Sequence, residues 1–260
     1  MNVPNAMKLL DLAPVRPLAP LLVYLPGMDG MGTLFDVQVP HLSRWFTVRG
    51  LAIAPDLSLD WCTLAQRLAA LITQEQQGMP QRPVYLCGES FGGCVALQFA
   101  MQFPQLVDRL ILVNPASSLP RQPWLHGSGW LAQCLPPWLY DLSCLALVEL
   151  LVNRERVTAA IYRTLLQIVR SLPQRTVAGR LEQLRWFVPA PTALRQIRHP
   201  TLILASGADR LLPSVAEATY LQRLLPQARS HLLPHSGHAC LLEPEVQLHV
   251  ILGQYGWLVP

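Results

Sequence analysis

Glycines at 88 and 92 bracket a serine at 90, with a strand-like run before them and a helix-like run after, and few folds accommodate that arrangement. Val84-Tyr-Leu-Cys87 is short, continuous and apolar, as a strand buried on both faces of a parallel sheet must be. Phe91–Phe103 is apolar almost all round, the pattern of a helix packed against a sheet. Between them lies the pentapeptide Gly88-Glu89-Ser90-Phe91-Gly92, a G-x-S-x-G motif in the strand–turn–helix context it requires. A strand that turns into a helix within one residue strains that residue's backbone, and the flanking positions must lack side chains so that the two elements can approach. Ser90 Oγ is therefore expected at the carboxyl edge of a sheet. The Phe91 N–H, at a helix start, is expected to serve as an oxyanion donor.

The rest of the chain repeats this alternation. Leu21–Leu25, Val48–Ala54, Leu110–Val113 and Thr201–Ala205 also read as buried parallel strands, with Ser230–Leu233 a shorter sixth candidate. Helices are expected over Thr63–Gln77, Val215–Leu225 and Pro244–Leu252. The class that results is α/β, a mostly parallel central sheet flanked by helices. Residues 116–198 break the rhythm: prolines punctuate helical pieces, chiefly Leu142–Leu151 and Val157–Leu172, and four of the seven tryptophans lie there, Trp124, Trp130, Trp138 and Trp186. The expected organisation is a core of 1–115 and 199–260 with a helical cap or lid insert at 116–198. Trp130 and Trp138 are assigned to an apolar substrate pocket beneath it.

A serine hydroxyl needs a base, and the base needs an orienting acid. Asp209 stands just beyond the Thr201–Ala205 strand, and His238 follows the last strand in His235-Ser236-Gly237-His238. We assign Asp209 as acid and His238 as base, with Asp56, Asp60 and the uncharged Asn114 as rivals for the acid and His235 for the base. The second oxyanion donor is expected from Leu25-Pro-Gly-Met28-Asp-Gly-Met-Gly32, where the Met28 N–H is nominated. Glu89 and Asp29 are read as structural. His126, in the insert, is a candidate for reaching the pocket.

Composition excludes several classes. Hydrophobic residues make up 51% of the 260 and charged residues 14%, which leaves disorder out. The longest apolar runs fall short of the ~20 residues of a membrane span. The net charge of +4 is diffuse and almost wholly arginine, Lys8 being the one lysine, so nucleic acid is not an expected partner. A basic, apolar surface allows peripheral contact with an anionic membrane. The six cysteines show no C-x-x-C spacing and no metal-ligand pattern, so no metal and no cofactor are expected. Free thiols and the absence of a signal-peptide pattern point to the cytoplasm.

The segments LPGMDGMG, GESFGGCVAL with LILVNPASS, and GADRLLPSVAEATYLQRLLP with SGHACLLE resemble the α/β-hydrolase superfamily, and within it the esterase/lipase/thioesterase family of plastids and cyanobacteria that includes the phytyl ester synthases. The similarity covers roughly residues 20–120 and 200–250. It implies the α/β-hydrolase fold, a triad at Ser90, Asp209 and His238, and a lipophilic acyl substrate. Plant members carry a second domain with an H-x-x-x-x-D motif; none of the seven histidines here has Asp at that spacing. The expected function is a serine hydrolase of lipophilic carboxylic esters acting through an acyl-enzyme. The alternatives are acyl transfer to phytol or diacylglycerol, a thioesterase, a menaquinone-pathway-type lyase using Arg121, Arg154 and Arg163, and a ligand-binding protein without turnover.

Overall fold

The computed structural model describes residues 7–79, 82–125 and 127–258. Its centre is a seven-stranded sheet in the order β1-β3-β2-β4-β5-β6-β7. The strands are β1 Met7–Asp11, β2 Leu21–Leu25, β3 Thr47–Ile53, β4 Val84–Glu89, β5 Arg109–Val113, β6 Thr201–Ser206 and β7 Ala228–Leu233. All neighbours are parallel except β1, which pairs antiparallel with β3 from Met7↔Ile53 to Asp11↔Arg49. The sequence reading missed β1. A half-exposed edge strand carries no continuous apolar run, so its pairing is set by β3 and not by its own composition.

Alternate residues of each inner strand feed two separate cores, as the two-residue period of a strand requires. Leu21, Val23 and Leu25 pack under helices α2 Trp61–Glu75, α3 Phe91–Gln102 and α9 Ser214–Leu224. Leu22 and Tyr24 pack on the other face, with α1 Val39–Leu42 and α10 Leu248–Gln254. The expected C-terminal helix is thus shorter and later than read from sequence. A 3-10 turn, Cys240–Leu242, precedes it.

Residues between β5 and β6 form α4 Ser128–Cys134, α5 Pro137–Leu151, α6 Ala159–Ser171, α7 Gln174–Arg185 and α8 Pro191–Leu194. Helices α4 and α7 were not foreseen; α7 is too polar to show an apolar stripe. Gly129 of α4 lies against the α7 backbone, a Cβ there reaching 3.0 Å from the Ala178 carbonyl oxygen. Cys144, Val148, Leu165 and Val169 of α5 and α6 join Leu242 in a third, smaller core. The insert is tied to the loops at the carboxyl ends of the strands: Thr176 Oγ1 donates to the Pro55 carbonyl at 2.7 Å, and Trp61 Nε1 donates to the Gln183 carbonyl at 3.1 Å.

Candidate active site

Ser90 lies between β4 and α3 with φ 52° and ψ −111°, a left-handed conformation that a residue with a side chain adopts only under constraint. Three backbone hydrogen bonds supply the constraint. The Ser90 N–H donates to the Val113 carbonyl at 2.9 Å, and the Ser90 carbonyl accepts from Gly93 and Ala116, each at 3.0 Å. The glycines make room for it. A Cβ on Gly92 would overlap the Leu25 carbonyl, and one on Gly88 would overlap the Gly92 carbonyl.

Because β2, β4, β6 and β7 are parallel, the loops that follow them meet at one edge. His238 Nε2 is 2.9 Å from Ser90 Oγ, and His238 Nδ1 is 2.7 Å from Asp209 Oδ2. Asp209 Oδ1 accepts from the Leu211 and Leu212 N–H groups at 2.8 and 3.0 Å, and Ser214 Oγ donates to Oδ2. Burial alone would raise the Asp209 pKa; the His238 charge and these hydrogen bonds outweigh it and hold the carboxyl below its ordinary value. His238 is itself buried, with its backbone carbonyl accepting from Asn114 Nδ2 at 2.6 Å. Asn114, which follows β5 at φ 43°, also donates to Ser206 Oγ and accepts from the Ser206 N–H. It thereby ties β5, β6 and the histidine loop together. Glu243 ties the histidine loop to the insert, accepting from Ser236 Oγ, the Gly237 N–H and Arg156 Nε.

The sequence rivals stand elsewhere. Asp60 caps α2 through the Thr63 N–H at 2.9 Å, Asp56 is exposed beside α7, and His235 is exposed. His126 lies outside the described residues.

The Met28 loop passes beside the serine: a Cβ on Gly27 would stand 3.9 Å from Ser90 Cβ. Among the described residues no acceptor takes the Met28 or Phe91 backbone N–H, and the Ser90 side chain does not cap α3. Both donors therefore remain available beside Ser90.

A cavity of about 290 Å³ opens from Ser90 and His238 into the helical insert. Leu131, Leu135, Leu147, Leu165, Val169 and Leu172 are among the residues that wall it there, and none of its described lining residues is Lys or Arg. The assignment of Trp130 and Trp138 to this pocket is corrected: they are 69% and 70% exposed and do not line it. Helix phase is the reason. On α5, Tyr140, Cys144, Leu147 and Leu151 share one face at spacings of four, three and four, and this face looks into the cavity, whereas Trp138 and Leu142 lie on another. Arg121 pairs with Glu217, the Arg154 guanidinium lies over the Tyr162 ring at 4.3 Å, and Arg163 is exposed, so none of the three reaches the cavity. No group of three or more His, Cys, Asp or Glu among the described residues is arranged to hold a metal ion.

Glu89, next to the serine, is buried, lines the cavity and accepts a hydrogen bond from Tyr24 on Oε2, while Oε1 has no partner. Burial pushes its pKa from 4.5 to about 7, opposed by the Tyr24 hydrogen bond and by His238 and reinforced by Asp29. Between pH 4.5 and 7 the folded protein then holds a proton that the unfolded chain has released, so this group makes stability fall as pH rises through that window. At 1.36 kcal/mol per unit the change is about 3 kcal/mol. Urea unfolding of wild type and Glu89→Gln at pH 5 and pH 8 checks this. The variant is expected to gain on wild type by that order at the higher pH; an unchanged difference would show that Glu89 does not titrate in this range.

Comparisons with known proteins agree with this architecture. Residues 20–245 match the α/β-hydrolase fold family. The chain is 32% identical to phytyl ester synthase 1, chloroplastic, of Arabidopsis thaliana over 90% of its own length, and spans 36% of the length of that protein. It is 30% identical to a pimeloyl-[acyl-carrier protein] methyl ester esterase of Nitrosomonas europaea, over 86% of this chain and 90% of that one. An esterase from Exiguobacterium antarcticum superposes with a TM-score of 0.75 at 17% identity, covering 96% of this chain and 94% of the other. With the sheet order, the serine turn and a family match that runs from β2 past His238, the chain belongs to the α/β-hydrolase fold family.

Proposed function

We propose that the protein is a serine hydrolase that cleaves lipophilic carboxylic esters through an acyl-enzyme, without metal or cofactor. One observation carries the reading: the Ser90–His238–Asp209 hydrogen-bond chain ends at the mouth of a cavity walled by aliphatic side chains. In the proposed mechanism His238 Nε2 takes the Ser90 proton as Oγ attacks the ester carbonyl. Asp209 holds the Nδ1–H tautomer and stabilises the imidazolium. The Met28 and Phe91 N–H groups receive the oxyanion. The imidazolium then protonates the leaving alkoxide, and a water activated by His238 releases the acid. The helical insert covers the acyl chain as a lid. Esterase similarity supports the ester bond as target. Acyl transfer to a long-chain alcohol is the second reading, favoured by the similarity to phytyl ester synthase 1. It uses the same acyl-enzyme with an alcohol in place of water, and partition between water and added phytol separates the two. The aliphatic wall without Lys or Arg gives a lyase acting on polyanionic substrates no support.

Turnover of p-nitrophenyl esters and covalent labelling of Ser90 by a fluorophosphonate test the reading directly. Ser90→Ala is expected to lose the label and at least ~10³-fold in kcat, and Asp209→Asn ~10³- to 10⁴-fold through the wrong imidazole tautomer. Near-wild-type turnover by Ser90→Ala would overturn the assignment.

Each methylene buried in the cavity is worth up to about 0.8 kcal/mol, close to fourfold in kcat/KM. We expect kcat/KM to rise from acetyl to at least octanoyl esters below their micelle concentrations. Ala132 is a small residue of the cavity wall, and Ala132→Phe is expected to cost roughly tenfold on the octanoyl ester while sparing the acetyl ester. Activity that is flat or falling with chain length in wild type would remove the lipophilic pocket.

The outward tryptophans suit a different role. Trp130, Trp138 and Leu142 are each more than half exposed on consecutive helices of the insert, and no helix among the described residues is long and apolar enough to cross a membrane. We propose that this surface makes peripheral contact with lipid, aromatic rings settling at the headgroup level. Flotation with anionic phospholipid vesicles is expected to recover wild type but several-fold less of Trp130→Ala/Trp138→Ala. Equal recovery of both would assign the contact elsewhere.

A further inference from the structure

The loop that carries Met28 is rich in glycine. It contains Gly27, Gly30 and Gly32, and the last two are in the left-handed region at φ 67° and 70°. Glycines there remove steric preference, so the loop conformation must be imposed from outside. Local contacts supply part of the restraint: the Gly30 N–H donates to the Gly27 carbonyl at 3.1 Å, and Asp29 Oδ2 accepts from the Met31 N–H at 2.9 Å.

Strand β3 adds to it, the Ile53 N–H donating to the Gly30 carbonyl at 2.8 Å, and a further restraint comes from the insert. Arg180, on α7, is 5% exposed. Its Nη1 donates to the Met28 carbonyl, and its Nη2 donates to the Ile53 carbonyl at 3.3 Å. Burial lowers the guanidinium pKa and the charge of the buried Asp29 opposes this, without an ion pair between the two, and the guanidinium carbon lies 6.0 Å from the Phe91 ring centre. The group also occupies the space a side chain on residue 30 would need, since a Cβ there would stand 2.7 Å from both terminal nitrogens. The guanidinium thus bonds the Met28 carbonyl directly and lies near the Phe91 ring, the two residues nominated as oxyanion donors.

We propose that Arg180 is a positioning residue for the oxyanion site: by pinning the Met28 carbonyl it fixes the peptide segment that carries the Met28 N–H, so that docking of α7 and completion of the site are one event. The inference rests on the serine-hydrolase reading above. A planar fork bonded to two carbonyls restrains rotation of the Met28 segment in a way a single donor does not. Arg180 itself does not contact substrate in this proposal. Its effect is on the transition state, where the oxyanion draws on the Met28 N–H, and not on binding of the acyl chain.

Kinetics and hydrogen exchange of Arg180→Met and Arg180→Lys test it. Gly30→Ala is a supporting variant, which keeps the arginine and crowds its guanidinium but also strains the loop at φ 67°. Arg180→Met is expected to lower kcat on p-nitrophenyl octanoate by ~10²-fold with KM within about threefold, the size of a lost oxyanion donor. The affinity of an octyl trifluoromethyl ketone, whose adduct with Ser90 carries an oxyanion, should fall by a similar factor, while that of the matching alcohol should not. Arg180→Lys is expected to recover part of the loss, and Gly30→Ala to reproduce it. Amide exchange across residues 26–34 should accelerate at least about tenfold, with the β4–α3 peptides unchanged. Unaltered exchange in that loop, or a loss confined to KM, would overturn the positioning role even if activity falls. Absence of ester turnover in wild type would instead overturn the hydrolase reading and this proposal with it. Should Arg180→Met fail to fold, the same readouts on Arg180→Lys decide the question.

Discussion

The approach of α3 to the end of β2 is the contact on which the site depends. Helix and strand meet with residue 92 against the Leu25 carbonyl, closer than any side chain allows. That proximity forces the chain to reverse within the single residue Ser90, and the hydrogen bonds from Ser90 to Val113 and from Ala116 to Ser90 keep it reversed. The strain is local, of the order of 1–3 kcal/mol for such a conformation, and the buried sheet around it absorbs the cost. In return the hydroxyl projects from the edge of the sheet and the start of α3 is left with an unused N–H.

Around that turn the molecule separates two chemistries that would otherwise interfere. Beneath Ser90 lies a polar network. Asp209 is saturated by Leu211, Leu212, Ser214 and His238, while Asn114 and Glu243 clamp the histidine loop by its backbone. Above it the cavity wall is aliphatic. A buried carboxylate that receives every hydrogen bond it can use is costly to protonate and holds its position, which suits an orienting group. Glu89 is the exception: one of its oxygens is unpaired, and burial leaves it titrating near neutrality beside the same histidine.

The insert takes part in both regions. Its α5 and α6 supply the apolar wall, its α7 sends Arg180 under the Met28 loop, and the end of α5 receives the Ala239 N–H through the Leu151 carbonyl at 2.8 Å. The histidine loop and the Met28 loop are therefore both held partly by residues 116–198. Movement of those helices and competence of the site are physically linked.

What the sequence determined by itself is what short-range stereochemistry dictates. The Gly88-Glu-Ser-Phe-Gly92 turn, the continuous apolar strands and the places of Asp209 and His238 just beyond two of them were legible, because a parallel sheet brings every strand end to one edge. Resemblance to a known family converged on the same residues. The phase of α5 was not legible: the helix is apolar all round, so nothing in its composition separates the cavity-facing Tyr140, Cys144 and Leu147 from the exposed Trp138 and Leu142. Nor was α7, whose polar sequence hides that Arg180 is buried. Strand β1 is defined by its partner, and Asn114 shows its role only when β5, β6 and the histidine loop converge on it. In each case the deciding interaction joins residues far apart in the chain, and only the folded arrangement brings their surfaces into contact.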